Sequence, residues 1–366
     1  MADALAEALR RYPAQKIVLA TIDELSGPGQ LAGKVAEVLG ARLHSTISGL
    51  RPHSPRGDVV RVVQALEDAD GVVTLGGGSV CDTVKAARLC VANGIRSPEA
   101  MERLRPYHRA DGEPEILRTP SLPFIAIPTT LSAGEYTSAA GVTDERGPVK
   151  QVFIYPGLAP DVVILDPVMT LDTPPRLFFS TGFRAVDHAI ETWCSINPTP
   201  LSDAYALHAA RLLMTSLLRV FDAPDDMDAR LDCLEGAWLS MLGPADGVKA
   251  GGSHGLGHAL GGTAGMSHGE TSCVMLPHVL RYNMPVNAER QAVIAAAVGR
   301  PGAPLADIVA ELVAHLGLPA RLRDSGVSEA VLGKVAEAAL HDPMLDTNPR
   351  PIRSLAVVED LLRQAW

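Results

Sequence analysis

The sequence predicts an α/β half followed by an all-helical half, and three observations carry that prediction. Short apolar runs alternate with helical apolar spacings up to Pro167. From Met169 onward the period is helical and stays so. A Gly-Gly-Gly-Ser turn at 76–79 stands where an apolar run gives way to a helical one. Residues 1–167 are therefore expected to form a parallel-sheet domain covered on both sides, and residues 168–366 an all-helical domain.

The composition fits two domains with large cores. The chain has 366 residues, of which 47% are hydrophobic and 20% charged. Aromatics make up 4%, so Ala, Val and Leu must fill the interior. The formal charge is −10, and no basic stretch interleaved with aromatics occurs, which points away from nucleic acid. An anionic substrate would need local Arg, Lys or His. The five cysteines form no Cys-x-x-Cys pair and are odd in number, so neither a disulfide framework nor a thiolate zinc site is expected. Cys81 and Cys273 are best read as small buried residues. Met1–Arg11 lacks the pattern of a signal peptide, and no apolar run has the length of a membrane span. The expectation is a reduced, cytoplasmic protein with no membrane partner.

In the first half, strands are expected at 16–21, 71–75 and 124–128, with helices at 29–39 and 57–69. Ala139–Thr143, Gln151–Tyr155 and Val162–Leu165 read as further short strands, and 95–122 as a surface excursion. The strand at 71–75 runs into Gly76, Gly77, Gly78 and Ser79. Glycines at such a turn let a backbone approach a ligand, and the first N–H groups of the helix face an anion such as a pyrophosphate. Ser79 is placed to cap that helix with Asp82 three residues on, and Lys85 to lie on a solvated helix face. A well-capped glycine turn without a ligand is the ordinary alternative. The strand at 124–128 ends in Thr129 and Thr130, at the sheet edge where open α/β folds bind ligands.

Taken together, Gly-Gly-Gly-Ser-x-x-Asp-x-x-Lys at 76–85, Pro128-Thr129-Thr130, Lys150 ahead of a strand, and 161–167 resemble the iron-containing alcohol dehydrogenase family. The resemblance implies the fold shared with dehydroquinate synthase: a Rossmann-like N-terminal domain, an all-helical C-terminal domain, NAD(P)H as cofactor and a homodimer. By matching position, Gly76, Gly77, Gly78 and Ser79 would hold the pyrophosphate, with Asp82 in the same motif. Thr129 and Thr130 would approach the adenine side, and Lys150 the nicotinamide ribose. An acid after the first strand, here Asp23, would mark a preference for NAD, but the match there is loose and NAD and NADP both stay open.

In the second half, helices are expected at 177–194, 202–221, 227–243, 284–299, 303–316, 328–340 and 354–366. Four histidines gather in three segments. His188 follows Arg184 by four residues, so the two point the same way on a helix. His254 and His258 share a face, and His268 precedes Gly269 in a turn. The remaining histidines, at 44, 53, 108, 208, 278, 315 and 341, lack a supporting pattern. In the family that the chain resembles, an Asp four residues before the first histidine joins three histidines around a divalent metal. The matching positions are Arg184, His188, His254 and His268, while His258 matches a histidine near the nicotinamide.

A guanidinium offers no lone pair and brings a positive charge to the metal's place. The expectation is therefore no tightly bound metal, and, if one is present, coordination by His188, His254 and His268. The resemblance runs closest to a branch without metal, the maleylacetate reductases, on Ser253–Thr263 and His268–His278. On that reading Arg184 binds a carboxylate or steadies a developing alkoxide, the histidines orient substrate and one supplies a proton. The implied reaction is reduction of a small carboxylated carbonyl or enone, most sharply maleylacetate to 3-oxoadipate. Two alternatives stand beside it: a metal-dependent iron or zinc alcohol dehydrogenase, and a scaffold turned to a lyase, cyclase or ligand-binding role. Arg184 could also merely pair with Asp187 or Glu191, and His188 could be a satisfied core histidine.

Overall fold

The computed structural model describes residues 1–27, 29–104, 117–147 and 149–366, the side chains of Val149 and Lys150 apart. Two units are compact in themselves, Met1–Thr130 with Gly134–Thr170, and Leu131–Ala133 with Leu171–Trp366.

The first unit holds strands β1 (Ile17–Ala20), β2 (Leu43–Ile47), β3 (Gly71–Gly76), β4 (Phe124–Pro128), β5 (Ala139–Asp144), β6 (Val149–Ile154) and β7 (Val162–Val163). Its helices are α1 (Ala2–Arg11), α2 (Asp23–Ser26), α3 (Leu31–Leu39), α4 (Arg56–Leu66) and α5 (Gly78–Ala92). Five strands form a parallel sheet in the order β2-β1-β3-β4-β7. Alternate residues serve two cores. Val18, Val72, Phe124 and Ala126 pack with α4 and α5 residues such as Val59, Val63 and Val84. Leu19, Val73, Ile125 and Ile127 pack with Leu5, Leu9 and Val35 of α1 and α3. Both faces are thus covered, which is why the strands read as continuous apolar runs. The chain steps from β1 to β2 on one side and returns to β3 on the other. The switch point lies between β1 and β3, where open α/β sheets bind ligands.

Strand β2 and helix α1 were not anticipated. Every residue of β2 is partly or fully exposed, so its sequence lacks the buried run that marks the others. The runs expected at 139–143 and 151–155 pair with each other as an antiparallel ribbon outside the parallel sheet. Much of the stretch expected as a surface excursion, residues 105–116 with His108, lies outside the described residues.

The second unit holds helices α6 (Pro175–Trp193), α7 (Pro200–Asp222), α8 (Met227–Ala245), α9 (Gly252–Ala264), α10 (His268–Ala297), α11 (Leu305–His315), α12 (Leu332–Ala339) and α13 (Leu355–Ala365). A core of Leu256, Leu260, Met275, Val279, Val335, Val358 and Leu362 binds α9, α10, α12 and α13. The helix expected at 284–299 is the end of α10, which begins sixteen residues earlier and bends at Asn287 (φ −139°) just after Pro285. Proline removes a helical N–H and crowds the preceding turn, which explains the bend. No helix among the described residues is long and apolar enough to cross a membrane.

Candidate functional site

In the first unit, the glycine turn leads directly from β3 into α5. Helix α5 starts at Gly78 with Gly77 at its N-cap, and no side chain caps it. The capping role expected of Ser79 is therefore corrected: Ser79 lies inside the first turn, and its Oγ accepts from His53 N at 3.0 Å. Gly77 is needed for close approach, since a Cβ there would meet Thr130 Oγ1 at 2.9 Å. Thr129 N donates to Gly76 O at 3.0 Å, so Thr129 and Thr130 lie against the turn.

Asp82 faces strand β5, where its Oδ2 accepts from Gly141 N at 3.0 Å. Lys85, expected on a solvated face, is completely buried, and its ammonium donates to Gly134 O and Ala139 O. Two backbone carbonyls and the carboxylate of Asp82, 3.7 Å away, make burial of the charge tolerable. Glu135 is buried in the same region with no hydrogen-bond partner for either oxygen. Burial pushes its carboxyl up to about 7. Lys150 lies on β6 opposite Thr143, and its side chain is outside the described residues.

In the second unit, Arg184, Asp187, His188 and Glu191 fall at i, i+3, i+4 and i+7 on α6, one face of one helix. Helix α9 carries His254 and His258. His268, expected in a turn, is the first residue of α10, because the side chain of Ser267 caps that helix on Glu270 N. Glycines let the helices close in. A Cβ on Gly269 would stand 2.7 Å from Ser180 O on α6, and one on Gly257 2.9 Å from Thr271 Oγ1. The histidine rings meet in pairs, His188 with His254 at 4.9 Å between centroids and His258 with His268 at 6.1 Å.

Arg184 bridges α10 and a neighbour on its own helix. Its Nη1 donates to Ser272 Oγ at 2.8 Å and lies 3.5 Å from Asp187 Oδ2. Asp187 Oδ2 also accepts from Ser253 Oγ at 2.8 Å and Ser272 Oγ at 2.5 Å, while its Oδ1 is buried without a partner. Glu191 accepts from the backbone N–H groups of Gly251 and Ser253 at 2.8 Å each, and its Oε2 lies 2.7 Å from His254 Nδ1. That places a carboxylate on the positive end of α9.

Burial decides how these groups ionise. It raises the Asp187 and Glu191 carboxyls, although in Glu191 the backbone donors oppose it. Burial, reinforced by Arg184, drives His188 well below its ordinary range and brings His254 down to about 3. Both imidazoles are neutral at physiological pH. One guanidinium therefore faces two buried carboxyls, both of which burial raises.

That arrangement corrects the expected cofactor set. Asp187, Glu191 and His254 are all buried, and each offers a ligand atom within 4.8 Å of the others. The groups converging at ligand distance are two carboxylates and one imidazole, not the trio His188, His254 and His268, and they overturn the expectation that no metal is held. The fit is chemical as well as geometric. A hard or borderline dication suits O, O and N donors. The partnerless Oδ1 of Asp187 is what such a cation would satisfy. Asp187 and Glu191 entered the sequence reading only as ion-pair partners of Arg184. Their spacing along α6 was visible, but the approach of His254 from α9 was not.

His258 stands apart from this cluster. It is exposed, and its Nδ1 lies 2.8 Å from Asp342 Oδ2. Burial works against the charge of Asp342, but the hydrogen bond and charge of His258, with the Met344 N–H, together outweigh it, so that carboxyl titrates below its usual range.

A doubly faced parallel sheet with a glycine turn near its switch point and a helical unit with a buried acid–imidazole cluster fit an NAD(P)-dependent oxidoreductase. The family described as iron-containing alcohol dehydrogenase matches residues 1–167, and the C-terminal part of the Fe-containing alcohol dehydrogenase family matches 178–366. The chain belongs to that family. It is 30% identical over 366 residues to maleylacetate reductase of Pseudomonas knackmussii, covering 99% of this chain and 92% of that protein. It is 31% identical over 305 residues to the NAD-dependent methanol dehydrogenase of Bacillus methanolicus, covering 81% and 76%. The crystal structure of maleylacetate reductase from Agrobacterium tumefaciens superimposes with a TM-score of 0.82 at 30% identity, over 100% of this chain and 93% of that one.

Proposed function

We propose that this oxidoreductase interconverts a small alcohol and its carbonyl compound, with a divalent cation held by Asp187, Glu191 and His254. The observation that carries the reading is the convergence of three buried ligand atoms beside the partnerless Oδ1 of Asp187. A cation bound there acts as a Lewis acid toward the reacting oxygen. Arg184 holds Asp187 in place and lowers the cost of two buried carboxylates. His188 and His268 orient the substrate, and His258 exchanges protons with solvent. Gly76, Gly77, Gly78 and Ser79 receive the cofactor's pyrophosphate, with Thr129, Thr130 and Lys150 toward the nucleoside portions. Asp82 shapes that turn through Gly141 rather than by capping α5.

Elemental analysis of protein purified without chelator tests the cation. The expected result is about one equivalent per chain, with activity lost on removal and restored on addition. Full activity in metal-free protein would sink the reading.

A second, narrower reading concerns the substrate. The buried guanidinium of Arg184 and the similarity to maleylacetate reductases favour a carbonyl compound that also bears a carboxylate. Parallel rates with maleylacetate and with unsubstituted aldehydes such as butanal separate it from a simple alcohol dehydrogenase. A kcat/KM at least about tenfold higher for maleylacetate is expected, a difference of roughly 1.4 kcal/mol in transition-state binding.

A further inference from the structure

We propose that Asp342 is the positioning residue of His258, fixing which ring nitrogen of that histidine exchanges a proton during turnover. The proposal rests on the oxidoreductase reading above and adds a residue outside the cation cluster.

Both oxygens of Asp342 are used. Oδ2 faces His258 Nδ1 at 2.8 Å, and Oδ1 accepts from Met344 N at 2.9 Å. The second bond makes Asp342 the N-cap of a short 3-10 turn, Pro343–Leu345. The backbone therefore sets the carboxylate's direction independently of the histidine. The Asp342 side chain is 15% exposed and that of His258 40%, so the carboxylate is held inside and the ring reaches solvent. A carboxylate on Nδ1 selects the Nδ1–H tautomer of the neutral ring and stabilises the imidazolium. Nε2 is then the nitrogen that gains and loses the proton.

His188 and His254 are less suited to that exchange, being kept neutral by burial and by Arg184. The reducing step balances as follows. Hydride leaves the reduced nicotinamide for the carbonyl carbon, and the π electrons of the carbonyl move to its oxygen. That oxygen takes the Nε2 proton of the His258 imidazolium, giving the alcohol and the oxidised nicotinamide, and water restores the proton to His258.

The test uses the full chain with ¹⁵N-labelled histidine, assigning His258 by its loss in His258→Gln. The neutral ring is expected as the Nδ1–H tautomer in the wild type and mainly as Nε2–H in Asp342→Ser. Serine keeps the cap on Met344 N and removes the carboxylate. Initial rates are measured with NADH or NADPH and either maleylacetate or butanal. Asp342→Ser should lower kcat roughly tenfold to a hundredfold with KM changed less than about twofold, within the usual range of general acid–base catalysis. In the His258→Gln background the same substitution should change kcat less than about twofold, because the two act as a unit. A wild-type Nε2–H tautomer, or equal losses in both backgrounds, overturns the proposal. If neither carbonyl compound is turned over, the substrate reading fails by itself and the tautomer alone decides the pair.

Discussion

Each unit sets two carboxyl groups and one cationic side chain near the start of a glycine-led helix, and the two sets satisfy them differently. In the first, Lys85 spends its donors on Gly134 O and Ala139 O, beside Asp82. Glu135 is left without a partner and takes up a proton at about pH 7. In the second, Glu191 receives two strong backbone N–H bonds and faces His254, so its charge has fixed donors. The unmet oxygen belongs to Asp187 instead, with a second carboxylate and an imidazole at ligand distance. A lone buried carboxyl is most easily neutralised by a proton, whereas a convergent set can hold a dication. The number and direction of fixed donors separate the two cases, not the net charge.

Asp187→Asn should break the comparison most severely. It leaves Arg184 and Glu191 balanced and removes a ligand. Bound metal should fall to about a tenth or less, and kcat/KM by roughly 10²-fold or more, as read by elemental analysis and initial rates. Unchanged metal content would assign the cation elsewhere. Lys85→Met should act on the fold instead. It leaves Gly134 O and Ala139 O without their donor, at about 1–3 kcal/mol for each orphaned buried group, measurable by urea unfolding with metal content unaltered.

Glu135→Gln sharpens the contrast through pH. The Glu135 carboxyl is raised in the folded chain from 4.5 to about 7, so the folded state binds its proton more tightly. Its stabilising contribution is complete below pH about 4.5 and is lost as pH rises through about 7, by about 3 kcal/mol in all. The glutamine variant should lack that slope. Equal pH dependence of unfolding in both proteins would remove Glu135 from the account. Gly77→Ala should have the smallest effect. Its Cβ crowds Thr130 Oγ1 and should raise the cofactor KM about threefold to tenfold with little change in kcat.

The fold was legible because its signals are local. Buried parallel strands are unbroken apolar runs, and the helical period after Met169 persists to the end of the chain. The exposed strand β2 and the glycine-rich helix α9 escaped because neither carries an apolar period of its own. The turn at Gly76–Ser79 could be placed from a few adjacent residues. The acid cluster could not, because Asp187 and Glu191 on α6 meet His254 on α9 only after the helices pack through Gly257 and Gly269. Arg184 drew attention to the correct helix face but suggested that the site had lost its metal. In sequence, the two acids at i+3 and i+7 read as partners of the guanidinium and not as ligands. Lys85 looked solvated for a related reason: a lysine in a helix gives no sign that backbone carbonyls from 134 and 139 will enclose it.

The segment that carries Asp342 also governs when the histidine site can exist. Thr347 Oγ1 donates to Ala250 O at 2.7 Å, Asn348 Oδ1 accepts from Gly252 N at 3.0 Å, and Leu345 lies where a side chain on Gly255 would stand. Together with the His258 bond, these lash the first half of α9 to residues made some ninety positions later. On a chain emerging from the ribosome, α9 has no such support until residues 342–348 are free. Those contacts wait until residues 342–348 have been made, well after the last residue of the first unit, Thr170.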